Sequence, residues 1–401
     1  MSKATLDQQY DYIIAGAGAA GLSLAWKMIH SPLSDKKTLV IDNELEPTNT
    51  KTWCFWESGA PPFSDIIHKK WTHTKIGTSQ KHFSQPLNEY PYYCIRKIDF
   101  QRKIHQAIRS HPHFTLAEEQ ITTLESHSDS AILHTNDHSY QAEYIFQSCF
   151  PLHPQKKQAP KHPLWQHFLG WEITVEEPLF DPQVFTLMDF DDSFCDGIAF
   201  MYILPWSATS ALIEYTIFSE RVEEQSFYED KISLYLNNQF NLRPIDYQIN
   251  RQELGKIPMQ DLLAKPWYKP RILNIGTSSG RTKPSTGYTF QRIQQQTKNL
   301  VTNLNKTGTP DPQPPSAFRY KAYDLWLLHI IHTSPQKALT VFKQLFTNNS
   351  ADDLFRFLGE QSTFRQDLSI MSSVPYAPFL KAIWNTRNRL WQIFKNYLLR
   401  N

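Results

Sequence analysis

The chain has 401 residues, with 41 Lys or Arg against 39 Asp or Glu and a formal net charge of +2 with histidine neutral. Near-balanced charge argues against a general nucleic-acid binder, and the length suits roughly two or three structural units whose core needs no disulfide staples. The four cysteines, Cys54, Cys94, Cys149 and Cys195, are scattered without C-x-x-C spacing, so neither a zinc site nor a disulfide framework is expected and a reducing cytoplasm fits.

The N-terminal MSKATLDQQYDY lacks the apolar run of a signal peptide. An apolar strand, Tyr12–Ala15, then runs into a turn carrying Gly16, Gly18 and Gly21 and on into an alanine- and leucine-rich helix. In such a G-x-G-x-x-G turn the first glycine permits the sharp bend and the second lets the backbone approach a pyrophosphate. The third lets the helix pack on the strand, with its N-terminus towards the anion. A second strand, Thr38–Ile41, ends in Asp42, 21 residues after Gly21. That position suits a ribose contact, and an acid there favours a free 2′-hydroxyl, as in FAD or NAD.

Residues Lys51–Glu89 are rich in Trp, His and polar side chains and read as irregular strands and loops. Pro91–Ile95 is strand-like, Asp99–His111 has helical spacing, and Ala131–His134 and Glu143–Phe146 read as short strands, the second returning to the nucleotide-binding sheet. From His162 to Ile257 the chain is β-rich. Phe168–Val175, Val184–Phe190, Ala199–Pro205 and Ser210–Phe218 carry β-branched and aromatic residues, and one helix, Phe227–Phe240, interrupts them.

At Arg271 the chain returns to the first half. Strand-like Arg271–Ile275 precedes a turn from Gly276 to Gly280, and Pro284–Gly287 precedes a helix. Of 13 glycines, three serve the first turn and three (Gly276, Gly280, Gly287) this late segment, where backbone must turn sharply or approach a ligand. A Pro-rich linker, Lys306–Ser316, leads to an all-helical C-terminal region.

Within Phe379–Leu399, Leu380, Ile383, Trp384, Leu390, Trp391, Phe394, Tyr397 and Leu398 fall mostly at helical spacing. No acid follows Asp367, while Lys381, Arg387, Arg389, Lys395 and Arg400 are basic. Two readings stay open: a helix lying in a membrane interface, or one packed on the protein with its basic face solvated. No stretch reaches the ~18 apolar residues of a membrane span.

Two glycine segments around a β-rich insertion describe a two-domain, hydroxylase-like flavoprotein plan of the α/β class. The expected division is a Rossmann-like FAD-binding domain (1–60, 91–150, 265–305), a β-rich substrate domain (61–90, 151–264) and a helical region (306–401). In that plan the late segment lies against the flavin ring, and the helix after Gly287 points its positive end at it.

Several motifs narrow the reading: KTWCFWE (Lys51–Glu57), LWQHFLGW (Leu164–Trp171), LMDFDDS (Leu187–Ser193), the run Phe200–Ser219, ELGKIPM (Glu253–Met259), PSTGY (Pro284–Tyr288) and FLGEQST (Phe357–Thr363). Together the chain resembles the lycopene cyclase family, the bacterial and plant-related lycopene β-cyclases of carotenoid synthesis. The resemblance implies an enzyme that closes rings on the polyene lycopene without net oxidation. It also implies reduced FAD as cofactor and NAD(P)H as external reductant. The family's acidic motif, Phe-Leu-Glu-Glu-Thr in plants, matches Leu212–Thr216, so its first acid falls on Glu214, and Tyr215 replaces the second. A second pattern places acids at Asp189 and Asp192. The resemblance therefore nominates Glu214, Asp189 and Asp192 for catalysis, and Gly16, Gly18, Gly21, Asp42, Gly276 and Gly287 for FAD. Thr277 stands where related flavoproteins often carry Asp.

The residues themselves permit this chemistry. Glu214 lies in an apolar, strand-like run; full burial raises a carboxyl pKa by about 3–5 units and would leave the neutral acid that alkene protonation needs. Its alternation with Ile213 and Tyr215 equally allows a solvent-facing acid. Ring faces stabilise carbocations without quenching them, so Trp53, Trp56, Tyr202, Trp206 and Tyr215, with Phe55 and Phe200, are candidates to line the substrate; each is also explained by core packing. Expected partners are lycopene and a membrane surface, for a cytoplasmic, peripherally bound protein without nucleic acid. The competing functions are a redox flavoenzyme of the same plan, such as a hydroxylase or isoprenoid reductase, and a non-catalytic flavin-binding protein at the membrane.

Overall fold

The computed structural model describes residues 6–78, 81–150 and 160–398. The expectations for Met1–Thr5, for the start of the second domain at 151–159 and for Arg400 lie outside the described residues. An eight-stranded sheet is built around β1 (Leu6–Ala15), with β2 (Thr38–Asp42) and β8 (Phe114–Glu118) parallel on one side and β11 (Ser139–Gln147) parallel on the other. The far edge of β11 is shared. Its first half pairs with β10 (Ala131–Thr135), which pairs with β9 (Ile121–Ser126), and its second half pairs with β18 (Ile272–Asn274) beside β17 (Trp267–Lys269). The late strand thus reaches the first glycine turn through β11.

Alternation decides what covers each face. Tyr12, Ile14, Val40 and Phe146 pack under α1 (Ala19–Ile29), α2 (Lys97–Arg109) and α4 (Phe290–Thr307), whereas Ile13, Leu39, Ile41 and Ile145 pack against β9 and β10.

A seven-stranded sheet forms the second half, in the order β16 (Tyr247–Gln260), β12 (Pro163–Val175), β15 (Ser210–Ser219), β14 (Ile198–Pro205), β13 (Val184–Phe190), β5 (His73–Gly77) and β6 (His82–Pro86). All neighbours are antiparallel except β13 and β5. The long β16 is absent from the strands read in the sequence. Its charged and polar residues, Gly255 and Pro258 hide it, and pairing with β12 along its length makes it a strand. A third sheet joins β3 (Thr52–Trp56), β7 (Tyr92–Arg96) and β4 (Lys69–Trp71). The stretch 61–90 is therefore divided between two sheets.

The two faces of the seven-stranded sheet differ. One buries Leu169, Met201, Ile213, Tyr215 and Ile217 under α3 (Gln225–Phe240). The other, the inner face, packs Phe200, Leu204, Leu212 and Phe218 against β3, β7 and the C-terminal helices α5 (Phe318–Thr333), α6 (Pro335–Asn348), α7 (Ala351–Leu358) and α8 (Phe364–Ser372).

The last helix, α9 (Tyr376–Leu398), packs on α5. It buries Ala382, Thr386, Arg389 and Ile393, while Leu380, Ile383, Trp384, Trp391 and Leu398 are exposed. The helix is thus packed on the body of the protein, and of the basic residues read as solvated Arg389 is turned inward. Asp261 captures Arg389 inside, with Nε donating to its carboxylate at 2.6 Å and a second guanidinium nitrogen donating to its carbonyl at 2.5 Å. No helix among the described residues is long and apolar enough to cross a membrane.

Candidate active site

The first glycine turn forms a cradle. Gly16 has φ +108° and faces the Ser148 side chain, and a Cβ on Gly21 would stand 1.9 Å from the Gly16 carbonyl oxygen, so α1 rests directly on the turn. Beside Gly18 there is open space within 4 Å of where a Cβ would lie, and α1 starts with neither a side-chain cap nor an acid in its first turn. Such bare first-turn amides suit a phosphate. Asp42 accepts the Ala17 N–H at 2.5 Å and the Asn43 N–H at 2.7 Å, which ties the end of β2 to the turn. The late turn closes on the same place, since a Cβ on Gly276 (φ +63°) would approach Ala20 on α1 to 2.7 Å. On α2, buried His105 leaves both ring nitrogens without a partner among the described residues, and burial, then Arg109, lowers its pKa. The glycine cradle with its uncapped helix start fits a dinucleotide.

The segment after Gly276 joins the two halves. Gly287 has φ +73°, and a Cβ there would meet the Gln166 side chain of β12 at 2.1 Å, so PSTGY lies on the inner face of the seven-stranded sheet. Lys283, fully buried, pairs with Asp324 and Glu360 at 3.0 Å each, and Arg292 pairs with Glu360 at 2.8 Å. Burial pushes Glu360 upward, but the two cations hold its pKa down at about 2. FLGEQST thereby anchors the late glycine segment to the C-terminal helices.

On that inner face, strand register sets Tyr202 (β14), Glu214 (β15), Gly170 (β12) and Glu253 (β16) in one row. Glu214 is 6% exposed. Among the described residues its one hydrogen bond comes from the Thr216 hydroxyl at 2.6 Å. Burial first, then the charge of Glu253, pushes its pKa up to about 8, against the pull of Thr216 and Arg251. Glu253 is better served: it accepts the Thr52 N–H at 2.8 Å, the Thr52 hydroxyl at 2.7 Å and Arg251 at 3.0 Å. Burial raises Glu253 too, with Arg251 and Thr52 opposing. Fewer donors satisfy the charged form of Glu214 than that of Glu253, which favours the neutral acid at Glu214.

Aromatic groups surround this row. The Tyr202 and Tyr92 hydroxyls meet at 2.9 Å, and Tyr92 stacks on Phe185 at 4.2 Å. Trp56 stacks on Phe355 at 4.6 Å and meets the edge of Tyr288 at 4.4 Å. Tyr288, which feels the charge of Glu214, borders an apolar cleft lined by Leu187, Trp326, Phe342, Phe346 and Phe357. Trp53 lies in the nucleotide-binding half, stacked on Phe290 at 5.6 Å. Trp206 lies between Trp71 and His68, under the Arg96 guanidinium at 5.5 Å.

Tyr215, Asp189 and Asp192, like Trp53, fall away from Glu214. Tyr215 projects to the opposite face from Glu214, beneath α3, and donates to Asp191 at 2.7 Å; adjacent strand residues cannot share a face. Asp189 opposes Met201 on that same outer side and is held by Tyr235 at 2.6 Å and His82 at 3.2 Å. Asp192 pairs with Lys343. Neither aspartate joins Glu214. Glu253, Arg251 and Thr52 were not singled out in the sequence, although ELGKIPM and KTWCFWE carry two of them.

A parallel sheet ending in a glycine turn, a second, mostly antiparallel sheet and a C-terminal helical region define a flavoprotein-like α/β fold. It is shared with a geranylgeranyl bacteriochlorophyll reductase-like protein from Thermoplasma acidophilum (12% identity, TM-score 0.60, covering 95% of this chain and 99% of that one). The flavin-dependent brominase Bmp2 is similar at 13% identity and TM-score 0.58, covering 95% and 100%. The chain belongs to the lycopene cyclase family: the profile described as "Lycopene cyclase protein" matches residues 11–384. It is 24% identical over 294 residues to a chloroplastic lycopene beta cyclase of an Oncidium hybrid cultivar, covering 70% of this chain and 61% of that protein. The chain spans about three fifths of the length of the curated relatives it matches.

Proposed function

We propose that this protein is a flavin-dependent lycopene β-cyclase that converts the acyclic ends of lycopene to β-ionone rings without net redox change. The observation that carries the reading is Glu214, a carboxyl buried with one hydroxyl donor among the described residues, on an inner face bordered by aromatic rings and an apolar cleft; burial pushes its pKa up to about 8. FAD would be held by Gly16, Gly18 and Gly21 at its pyrophosphate, by Asp42 at its ribose, and by the Gly276 and Gly287 segments towards the ring. In the reduced form, with NAD(P)H as reductant, the bound cofactor would supply negative charge that favours a developing cation.

Glu214 delivers its proton to the terminal alkene, and the double bond six-ring distance away attacks the tertiary cation so formed. The ring cation then gives one proton back to the Glu214 carboxylate, which restores the acid and leaves an isomer of the substrate. Tyr202, Trp56 and Tyr288 offer ring faces to the cation, and the surrounding apolar packing excludes water that would trap it. Outside the site, the exposed Trp384 and Trp391 stand beside Arg387 and Lys395, whose cations lie 4.5 and 5.3 Å from their rings. This face of α9 suits peripheral binding to an anionic membrane, the source of a water-insoluble polyene.

The test is anaerobic incubation of the protein with lycopene in liposomes, FAD and NAD(P)H, followed by chromatography and mass measurement. A cyclised product of unchanged mass supports the reading. A change in mass identifies a redox enzyme, and recovered lycopene a protein that does not cyclise it.

A further inference from the structure

The proton on Glu214 has a second determinant, two strands away. Gly170 of β12 stands in register with Glu214 on one side and Glu253 on the other, so both acids project from the same sheet face, about 10 Å apart at Cα. Only glycine leaves the space between them open: a Cβ on Gly170 would lie 3.3 Å from the Glu214 Cβ and 3.0 Å from Leu212. Each group touching Glu253 is a donor, namely the Thr52 amide, the Thr52 hydroxyl and Arg251, so its oxygens serve only as acceptors, the role of a carboxylate. Arg251 is itself shared, donating to Glu172 at 3.0 Å and to the Thr52 hydroxyl at 2.9 Å, which spreads its charge over two acids. Thr52 belongs to β3, so the state of Glu253 is fixed by the junction between the small sheet and the seven-stranded one.

We propose that Glu253, tethered to β3 through Thr52 and paired with Arg251, is a positioning residue whose negative charge across Gly170 keeps the proton on Glu214. This rests on the reading of Glu214 as the acid that starts cyclisation. The groups facing Glu214 are Tyr202 from β14, Glu253 and Arg251 from β16 and Tyr288 from the segment before α4, while Gly170 contributes no side chain. Tyr202 and Tyr288 stay neutral because burial, above all, raises both hydroxyls. Glu253 and Arg251 are thus the two fixed charges near the acid, of opposite effect. The tether explains the sign of their sum: Arg251 is turned towards Glu253, Glu172 and Thr52. Removing the negative member therefore makes Glu214 a stronger acid.

The experiment compares the parent with Glu253→Gln in two measurements. One is the pH profile of cyclisation. The other is infrared titration of the protonated carboxyl of Glu214, identified by its absence in Glu214→Gln. In Glu253→Gln both midpoints should move to lower pH by about one unit or more. Glu253→Asp, which retains the charge, should return both midpoints towards the parent. If Glu253→Gln fails to fold, Glu253→Asn, smaller and likewise uncharged, should move the infrared midpoint in the same direction. An infrared midpoint that stays put, or rises, in the folded variants overturns the proposal. Cyclisation that survives Glu214→Gln overturns instead the underlying reading of the acid, and the infrared shift still reports on Glu253.

Discussion

The two faces of the seven-stranded sheet hold carboxyl groups in opposite states. On the inner face Glu214 has one hydroxyl donor and a neighbouring acid, and its pKa rises to about 8. Beneath α3, Asp191 accepts from Tyr215, from Lys231 at 2.8 Å and from the Ser193 amide and hydroxyl. Burial pushes Asp191 upward, but these donors bring it down to about 2. Burial alone thus does not decide protonation; the number and charge of the donors do. The outer face spends its polar groups on holding α3, and the inner face leaves one acid short of partners where aromatic rings and a cleft converge.

The largest expected effect follows from Glu214→Gln. It keeps the size of the side chain and removes the transferable proton, so turnover should fall by about 10²–10⁴-fold or more with flavin content unchanged. Cyclisation within about threefold of the parent would falsify the inner-face assignment. The same variant carries a stability signature. A carboxyl raised to about 8 in the folded protein and ordinary in the unfolded chain binds its proton more tightly when folded. Its contribution is therefore fully present below the unfolded pKa and is lost as pH rises towards 8. Gln has no such penalty, so Glu214→Gln should unfold at higher denaturant concentration than the parent at pH 8–9, by up to a few kcal/mol. Identical alkaline stability of the two proteins would mean that Glu214 is solvated.

Asp191→Asn tests the outer face, with the opposite sign. A carboxyl lowered to about 2 stabilises above its unfolded pKa, and that stability disappears as pH falls through about 2. The variant should lose about 1–2 kcal/mol at neutral pH and show a flatter acid limb in denaturant titrations. Asp189→Asn, beside it, should leave cyclisation within about threefold, because the sheet separates Asp189 from Glu214. A loss of turnover comparable to that of Glu214→Gln would dissolve the distinction between the faces. The smallest effect on the folded protein should come from Trp384→Glu with Trp391→Glu, both exposed. Co-sedimentation with anionic liposomes should weaken, while thermal stability and cyclisation of detergent-dispersed lycopene persist. Undiminished sedimentation would remove α9 from the membrane contact.

The glycine turn, the acid at the end of β2, the late glycine segment and the division into a nucleotide-binding half, a β-rich half and a helical end were legible in the chain because each is a local pattern of contiguous residues. The face of the sheet to which Glu214 belongs was not. β15 is buried on both sides from Ala211 to Ser219, so alternation of polar and apolar residues, the signal that assigns a strand its faces, is missing there. For the same reason Tyr215 and Asp189, neighbours of acid motifs in sequence, project away from the acid in space.

On α9 the amphipathic pattern allowed either orientation. Asp261, far away in the chain, decided it by drawing Arg389 inward and leaving Trp384 and Trp391 outside. Glu253 sat unnoticed in a strand disguised by its charges, and only pairing with β12 set it in line with Gly170 and Glu214. Sequence alone determined which residue types and turns the chain possesses, since backbone freedom and charge are properties of each residue. Tertiary structure decided which carboxyl keeps a proton, because that depends on donors delivered by strands remote in sequence.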